Sequence, residues 1–179
     1  MGMVIWSTGL SGAGKTTLAI ALRDLLKPQL PQAVLIDGDV IRDAFGESLG
    51  YAESDRVVQI NRIQRLAKIL ADQNLIVIVA ALYCHPELLA WNRQNLKGYF
   101  EIYLEASQDL LHRRDQKNLY SMAKAGETKN VVGIDIPWHA PGNPDLLLNA
   151  DDEEAPDQMA QRVIAANPAL TEITNPSVK

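Results

Sequence analysis

Short apolar runs alternate with amphipathic stretches along most of the chain. Met3 to Thr8 is rich in strand formers, and Ala33 to Ile36 and Leu75 to Ala81 are apolar without alternation. That pattern predicts strands buried on both faces of a parallel sheet. Phe100 to Leu104 and the short run Asp145 to Asn149 add two more strands. Between them apolar positions recur at helical spacing. Lys15 to Lys27 predicts a helix stopped by Pro28. Asp55 to Gln73 predicts a long one, with Ile60, Ile63, Leu66, Ala67 and Leu70 on its core face and Asn74 closing it. Pro86 opens another that runs through Trp91 to about Leu96, with Gly98 as its stop. Ser107 caps a helix to about Asp115, and Pro156 to Ala166 forms the last one. Val40 to Phe45 predicts only a short helical turn, followed by a loop from Gly46 to Tyr51.

Strands alternating with helices predict an α/β fold: one parallel five-stranded sheet, covered by helices on both faces, within a single domain spanning residues 1–166. Residues 115–139 break the pattern. Their periodicity is weak, Gly126 and Gly133 punctuate them, and Arg113, Arg114, Lys117, Lys124 and Lys129 make the region basic. A mobile lid that closes over phosphates is the expectation for this segment. The tail, 167–179, is polar with two prolines and is expected to fray.

Composition narrows the class without choosing an activity. The 179 residues are 47% hydrophobic and 22% charged, ordinary for a soluble globular domain that buries a sizeable core. A formal net charge of −5 argues against a nucleic-acid or membrane-surface role but leaves room for a local basic pocket. The single Cys84 rules out an intrachain disulfide and suits a reducing cytoplasm. Residues 1–8 lack a basic n-region, so no signal peptide is expected. The longest apolar run is too short to span a bilayer.

The chemistry concentrates at Gly9-Leu10-Ser11-Gly12-Ala13-Gly14-Lys15-Thr16, which matches G-x-x-x-x-G-K-[ST] between a strand and a helix that continues with Thr17. Its glycines let successive N–H groups converge on one anion, and the helix N-terminus adds partial positive charge. Lys15 reaches the outer phosphates and the Thr16 hydroxyl is a Mg²⁺ ligand, so the stretch predicts nucleoside triphosphate binding. No Asn-Lys-x-Asp stands after a strand, which removes the guanine-reading GTPases, and the size argues against motors. A small-molecule kinase remains. Asp39, just past the second strand, suits a base for an acceptor hydroxyl. Arg42 and Arg56 suit an anionic acceptor. Cys84 reads as a buried inert thiol, and His85, His112 and His139 share no metal-ligand spacing. Trp6 and Trp91 read as packing residues, while Trp138 suits either stacking on a base or pinning a loop.

The P-loop, Asp37-Gly38-Asp39 with Arg42, Leu49-Gly50-Tyr51 and Asp55-Arg56 together resemble the adenylylsulfate kinases. Arg114-Asp115-Gln116-Lys117-Asn118-Leu119-Tyr120 resembles that family's lid motif. Gly133-Ile134-Asp135 with Ala140-Pro141 echoes the family's Gly-Ile-Asp stretch and the proline beyond it, so the likeness spans about residues 3–149. The resemblance implies a P-loop kinase that moves the ATP γ-phosphoryl group, with Mg²⁺, to the 3′-hydroxyl of adenylylsulfate. It implies that Gly9 to Thr17 with Arg113 or Arg114 hold ATP, that Lys15 and Asp39 are catalytic, and that Thr16 serves Mg²⁺. Arg42, Tyr51, Arg56, Gln59, Leu82 or Tyr83, Lys117 and Leu119 would line the acceptor, and a homodimer would fit the family's tendency to pair. Three departures fall on the acceptor side. Gln59 and Asn61 stand where the family has Asn and Arg, Leu82 to Pro86 is one residue longer than Phe-Ile-Ser-Pro, and Gln116 and Asn118 replace Pro and Gly. Those departures leave open a kinase for another nucleotide-linked anion, as in the similar cytidine diphosphoramidate kinases. A nucleotide-dependent binding module without transfer activity is the other reading.

Overall fold

Two strands are buried at every position: β1 (Met3–Thr8) and β3 (Ile76–Ala80). Runs with no polar alternation have no face to offer water, so helices must cover both sides of the sheet. The computed structural model of the chain describes residues 2–46, 49–115 and 118–174. Among these, β2 (Ala33–Asp37), β4 (Phe100–Glu105) and β5 (Leu146–Asn149) complete a parallel sheet in the order β2-β3-β1-β4-β5. Right-handed crossovers put α1 (Lys15–Leu26) on one face, against α7 (Pro156–Ala166), and α3 (Glu53–Asp72) on the other, beside α4 (Pro86–Asn95). The core faces follow helical spacing: Leu18, Ala19, Leu22 and Leu26 on α1, and Ile60, Ile63, Ala67 and Ala71 on α3.

Register places the site. Ser7 of β1 and Asp37 of β2 both pair with Ala80 of β3, so three strands end level at one edge of the sheet. Ligands of open α/β sheets bind at the carboxyl ends of the strands. The loop after β1 and the turn after β2 therefore face the same crevice, two strand spacings or roughly 10 Å apart. Ser7 ties β1 to β3 through a hydrogen bond to the Val79 carbonyl, 2.9 Å long, and Thr8 ties it to the segment after β3 through one to the Leu82 carbonyl, 3.1 Å long.

Three elements differ from the sequence reading. The helical turn after β2 is a helix, α2 (Gly38–Ala44), that begins two residues earlier because the Asp37 side chain caps it, accepting from the N–H groups of Asp39 and Val40. The 115–139 segment contains α6 (Leu119–Lys124), following α5 (Gln108–Arg113), with Asp115 accepting from the N–H groups of Tyr120 and Ser121. The tail does not fray over 168–174: it forms α8 (Pro168–Thr174). Asn167 caps it at the N–H groups of Ala169 and Leu170, and Leu170 is fully buried in the main core. One apolar anchor and a cap outweigh the polar composition. Leu170→Ala should therefore lower stability by about 2–4 kcal/mol, read by denaturant unfolding, while the KM for ATP stays unchanged.

Candidate active site

The P-loop turns from β1 into α1 in a space that admits no side chain at its first glycine. A Cβ on Gly9 would stand 2.4 Å from the Leu104 carbonyl oxygen. Gly14 precedes α1 at φ 104°, a left-handed conformation that Gly adopts without strain. No side chain caps α1, so its first N–H groups stay directed at the loop cavity, as an anion site requires. Ala13 is buried, and Leu10 packs into the core.

Lys15 leads α1. Its ammonium donates to the Leu10 carbonyl at 2.8 Å, within its own loop. Desolvation pushes its pKa down to about 8, against the opposing pull of the Asp39 and Asp37 carboxylates. The whole side chain is only half-buried, so the shift reflects the setting of the ammonium rather than complete burial of the residue. Thr16 donates its hydroxyl to Asp37 Oδ2 at 2.6 Å, crossing from α1 to the end of β2. Asp37 thereby joins the phosphate loop to the turn that carries Asp39. It caps α2 and meets Thr16, two roles that the sequence reading did not assign; a carboxylate directly before a helix start was the available signal. Asp39 lies exposed in the first turn of α2, on the crevice side of Lys15.

Arg42 and Arg56 converge on Tyr51. Their guanidinium carbons lie 4.8 and 5.6 Å from the centre of its exposed ring. Backbone carbonyls hold both groups: Arg42 Nη1 donates to Leu49 and Gly50, Arg56 Nε to Tyr51 and Arg56 Nη2 to Asn130. Burial, then the neighbouring charge of Arg42, lowers the Arg56 pKa. Two cations kept this close favour an anion between them.

The segment after β3 closes the acceptor side. Tyr83 is buried and donates to Glu53 Oε1 at 2.7 Å; burial, then that carboxylate, raises its pKa. Of the pair Leu82 and Tyr83, Leu82 is therefore the half-buried one, and Tyr83 is committed to α3. Gln59 is 4% exposed and donates to the Gly38 carbonyl at 2.9 Å, so it backs the Gly38–Asp39 peptide from behind. Cys84 donates to the His139 carbonyl, and burial pushes its pKa up to about 12, as an inert thiol requires. Trp138 packs beside Tyr103, the ring centres 6.1 Å apart, which is the loop-pinning alternative.

Arg114 lies against the P-loop, its Nη1 4.0 Å from where a Cβ on Gly14 would stand. Arg113 is exposed at the end of α5, with Asp151 as an electrostatic neighbour. Tyr120 on α6, which the sequence reading did not single out, is buried and donates to the Ser11 carbonyl at 2.9 Å. Burial pushes its pKa up to about 12. That contact spans 109 residues, and nothing local in the sequence announces it. Leu119 starts α6, half-buried, and Lys117 lies outside the described residues.

The chain is similar to known proteins. The model of the adenylylsulphate kinase family matches residues 1–149. An adenylyl-sulfate kinase of Picosynechococcus is 39% identical over 153 residues, 86% of each chain. A cytidine diphosphoramidate kinase of Campylobacter jejuni is 40% identical over 146 residues, 82% of this chain and 85% of that one. The solved structure of the Mycobacterium tuberculosis APS kinase in complex with AMPPNP and APS superposes with a TM-score of 0.84 at 36% identity, covering 92% of this chain and 96% of that one. With its P-loop, its Asp37–Asp39 turn and its paired arginines at one sheet edge, this chain belongs to the adenylylsulphate kinase family.

Proposed function

We propose that the chain is an adenylylsulfate kinase, transferring the ATP γ-phosphoryl group to the 3′-hydroxyl of adenylylsulfate to give 3′-phosphoadenylylsulfate. The observation that carries this is the placement of Lys15, Thr16 and Asp39 beside two guanidiniums held around Tyr51, in a family member. The P-loop N–H groups and the N-terminus of α1 bind the triphosphate, and Lys15 leaves the Leu10 carbonyl for the outer phosphates. Arg114, against the loop, adds charge there, and Arg113 remains for the adenine.

Thr16 and Asp37 fit Mg²⁺, a hard cation that takes few protein oxygens and keeps substrate phosphates and water as its other ligands. Bound there with ATP, Mg²⁺ would neutralise charge on the phosphates. Asp39 takes the proton of the acceptor hydroxyl as that oxygen bonds to the γ-phosphorus, and the bond to the bridging oxygen breaks to release ADP. Arg42 and Arg56 fork onto the phosphosulfate, with Tyr51, Leu82, Leu119 and Lys117 around the nucleoside. Gln59 acts through Gly38 rather than by touching the acceptor. The 115–139 segment closes over both substrates. ATP supply makes the cytoplasm the expected compartment, and a homodimer the expected assembly by family likeness.

A second acceptor has a specific observation in its favour. The cytidine diphosphoramidate kinase matches at 40% identity, beside 39% for the Picosynechococcus adenylyl-sulfate kinase, and Leu82 stands where the adenylylsulfate kinases have an aromatic ring. A coupled ADP-release assay with Mg²⁺ and ATP, run on both acceptors, tests the proposal. Turnover on adenylylsulfate is expected. Turnover on the cytidine compound alone would move the chain to that acceptor, and ATP binding with silence on both would make it a binding module.

A further inference from the structure

The lid segment is bonded to the acceptor arginine, and the bond is prepared by a carboxylate that touches neither substrate site directly. Asp135 accepts from the backbone N–H groups of Asn130 and Val131, one on each oxygen. That closes a tight turn in which Asn130 sits at φ 65°, the left-handed region. Asparagine tolerates it better than most residues, but the conformation still needs outside support. In this turn the Asn130 carbonyl accepts from Arg56 Nη2 at 2.7 Å, joining the lid to α3 across 74 residues. The Tyr51 carbonyl accepts from Nε of the same group at 3.0 Å. Two carbonyls from two segments thus fix the guanidinium plane. Of its five N–H bonds, both on Nη1 and one on Nη2 are left for an anion. Asp135 also offsets the repulsion that Arg56 meets from Arg42, since its charge opposes theirs.

We infer that Asp135 is a positioning residue for the acceptor site: through the Asn130 turn it holds Arg56 in the orientation that receives the acceptor's anionic group. Lid and acceptor are thereby coupled, because a lid displaced at 130–135 releases one of the two carbonyls that aim Arg56. The inference rests on the kinase reading above for what Arg56 receives, but the clasp itself exists without substrate.

Two measurements on the full chain test it. In the ligand-free protein, Arg56→Ala should speed amide exchange at Asn130 and Val131 by about tenfold or more, since the turn loses its outside partner. Unchanged exchange would overturn the clasp. In the turnover assay, Asp135→Ala should raise the KM for the acceptor about tenfold, the worth of one good hydrogen bond to a charged group, without changing the KM for ATP. Asp135→Asn, which keeps an oxygen for one N–H, should recover part of the loss. Asn130→Val, whose branched side chain resists the left-handed conformation, should repeat the selective rise. Equal rises in both KM values, or no rise for the acceptor, would reduce Asp135 to a structural support and overturn the inference. If the wild-type chain turns over neither acceptor, the functional reading fails, while the exchange experiment still decides the clasp.

Discussion

Asp39→Asn should lower kcat by about 10²–10⁴-fold, the range that a positioned general base supplies, while the dissociation constant for ATP barely moves. The argument is one of placement. Asp39 lies exposed in the first turn of α2, and the helix is capped by Asp37, so the substitution leaves the cap and the β2–α2 turn standing. In the proposed complex the triphosphate is held from the other side, by the P-loop and Lys15. Asparagine keeps the shape of the side chain and removes the charge that accepts the hydroxyl proton. One indirect effect has to be controlled. The Asp39 carboxylate helps to keep Lys15 protonated against desolvation, so its loss lowers the Lys15 pKa further below 8. Assays should therefore be run as a pH series, so that a change in the charge of Lys15 is separated from the loss of the base. Asp43→Asn, one turn further along α2, is the matched control and should keep wild-type kcat. A wild-type kcat in Asp39→Asn would remove this carboxylate from the mechanism.

What could be read in the sequence, and what could not, divides along the range of the interactions. β1 and β3 declare themselves because burial on both faces demands continuous apolar runs. The P-loop is legible because a phosphate cradle is a local object, spelled by consecutive residues. The long helix α3 was legible by its spacing, although it begins at Glu53 rather than Asp55. Capping was underused. Asp37 and Asn167 each start a helix that composition alone hides, α2 in a short polar stretch and α8 in a polar tail. The contacts that finish the site were out of reach, because they pair distant residues: Tyr83 with Glu53, Tyr120 with Ser11, and Arg56 with Asn130. Only the fold brings these partners together. Gln59 shows the limit of residue-by-residue transfer. Its amide is expected on the acceptor side, and its nitrogen donates to the Gly38 carbonyl instead.

Removing the P-loop cation should have the other large effect. Lys15→Met should weaken productive ATP use by about 10²–10³-fold, the span expected when one preorganised charge is lost from a phosphate site. Wild-type activity in that variant would sink the P-loop assignment. The pH dependence is the sharper test. In the ligand-free protein desolvation has moved Lys15 from its ordinary 10.5 down to about 8. Phosphate oxygens favour the charged form, so binding ATP raises that value again. Below pH 7 the ammonium is charged in both states and Lys15 adds no pH dependence to ATP affinity. Above about pH 8 the free protein has lost the proton that the complex needs, so binding must take one up and affinity falls as pH rises. The limiting slope is one proton, tenfold per pH unit, until pH reaches the raised value of the complex. Titrations of ATP affinity between pH 7 and pH 9.5 on the wild type should show that decline, and Lys15→Met should be flat over the same range. A flat wild-type profile would mean that the ammonium is not desolvated in the empty loop. Its bond to the Leu10 carbonyl would then be incidental, rather than the resting position from which the phosphates draw it.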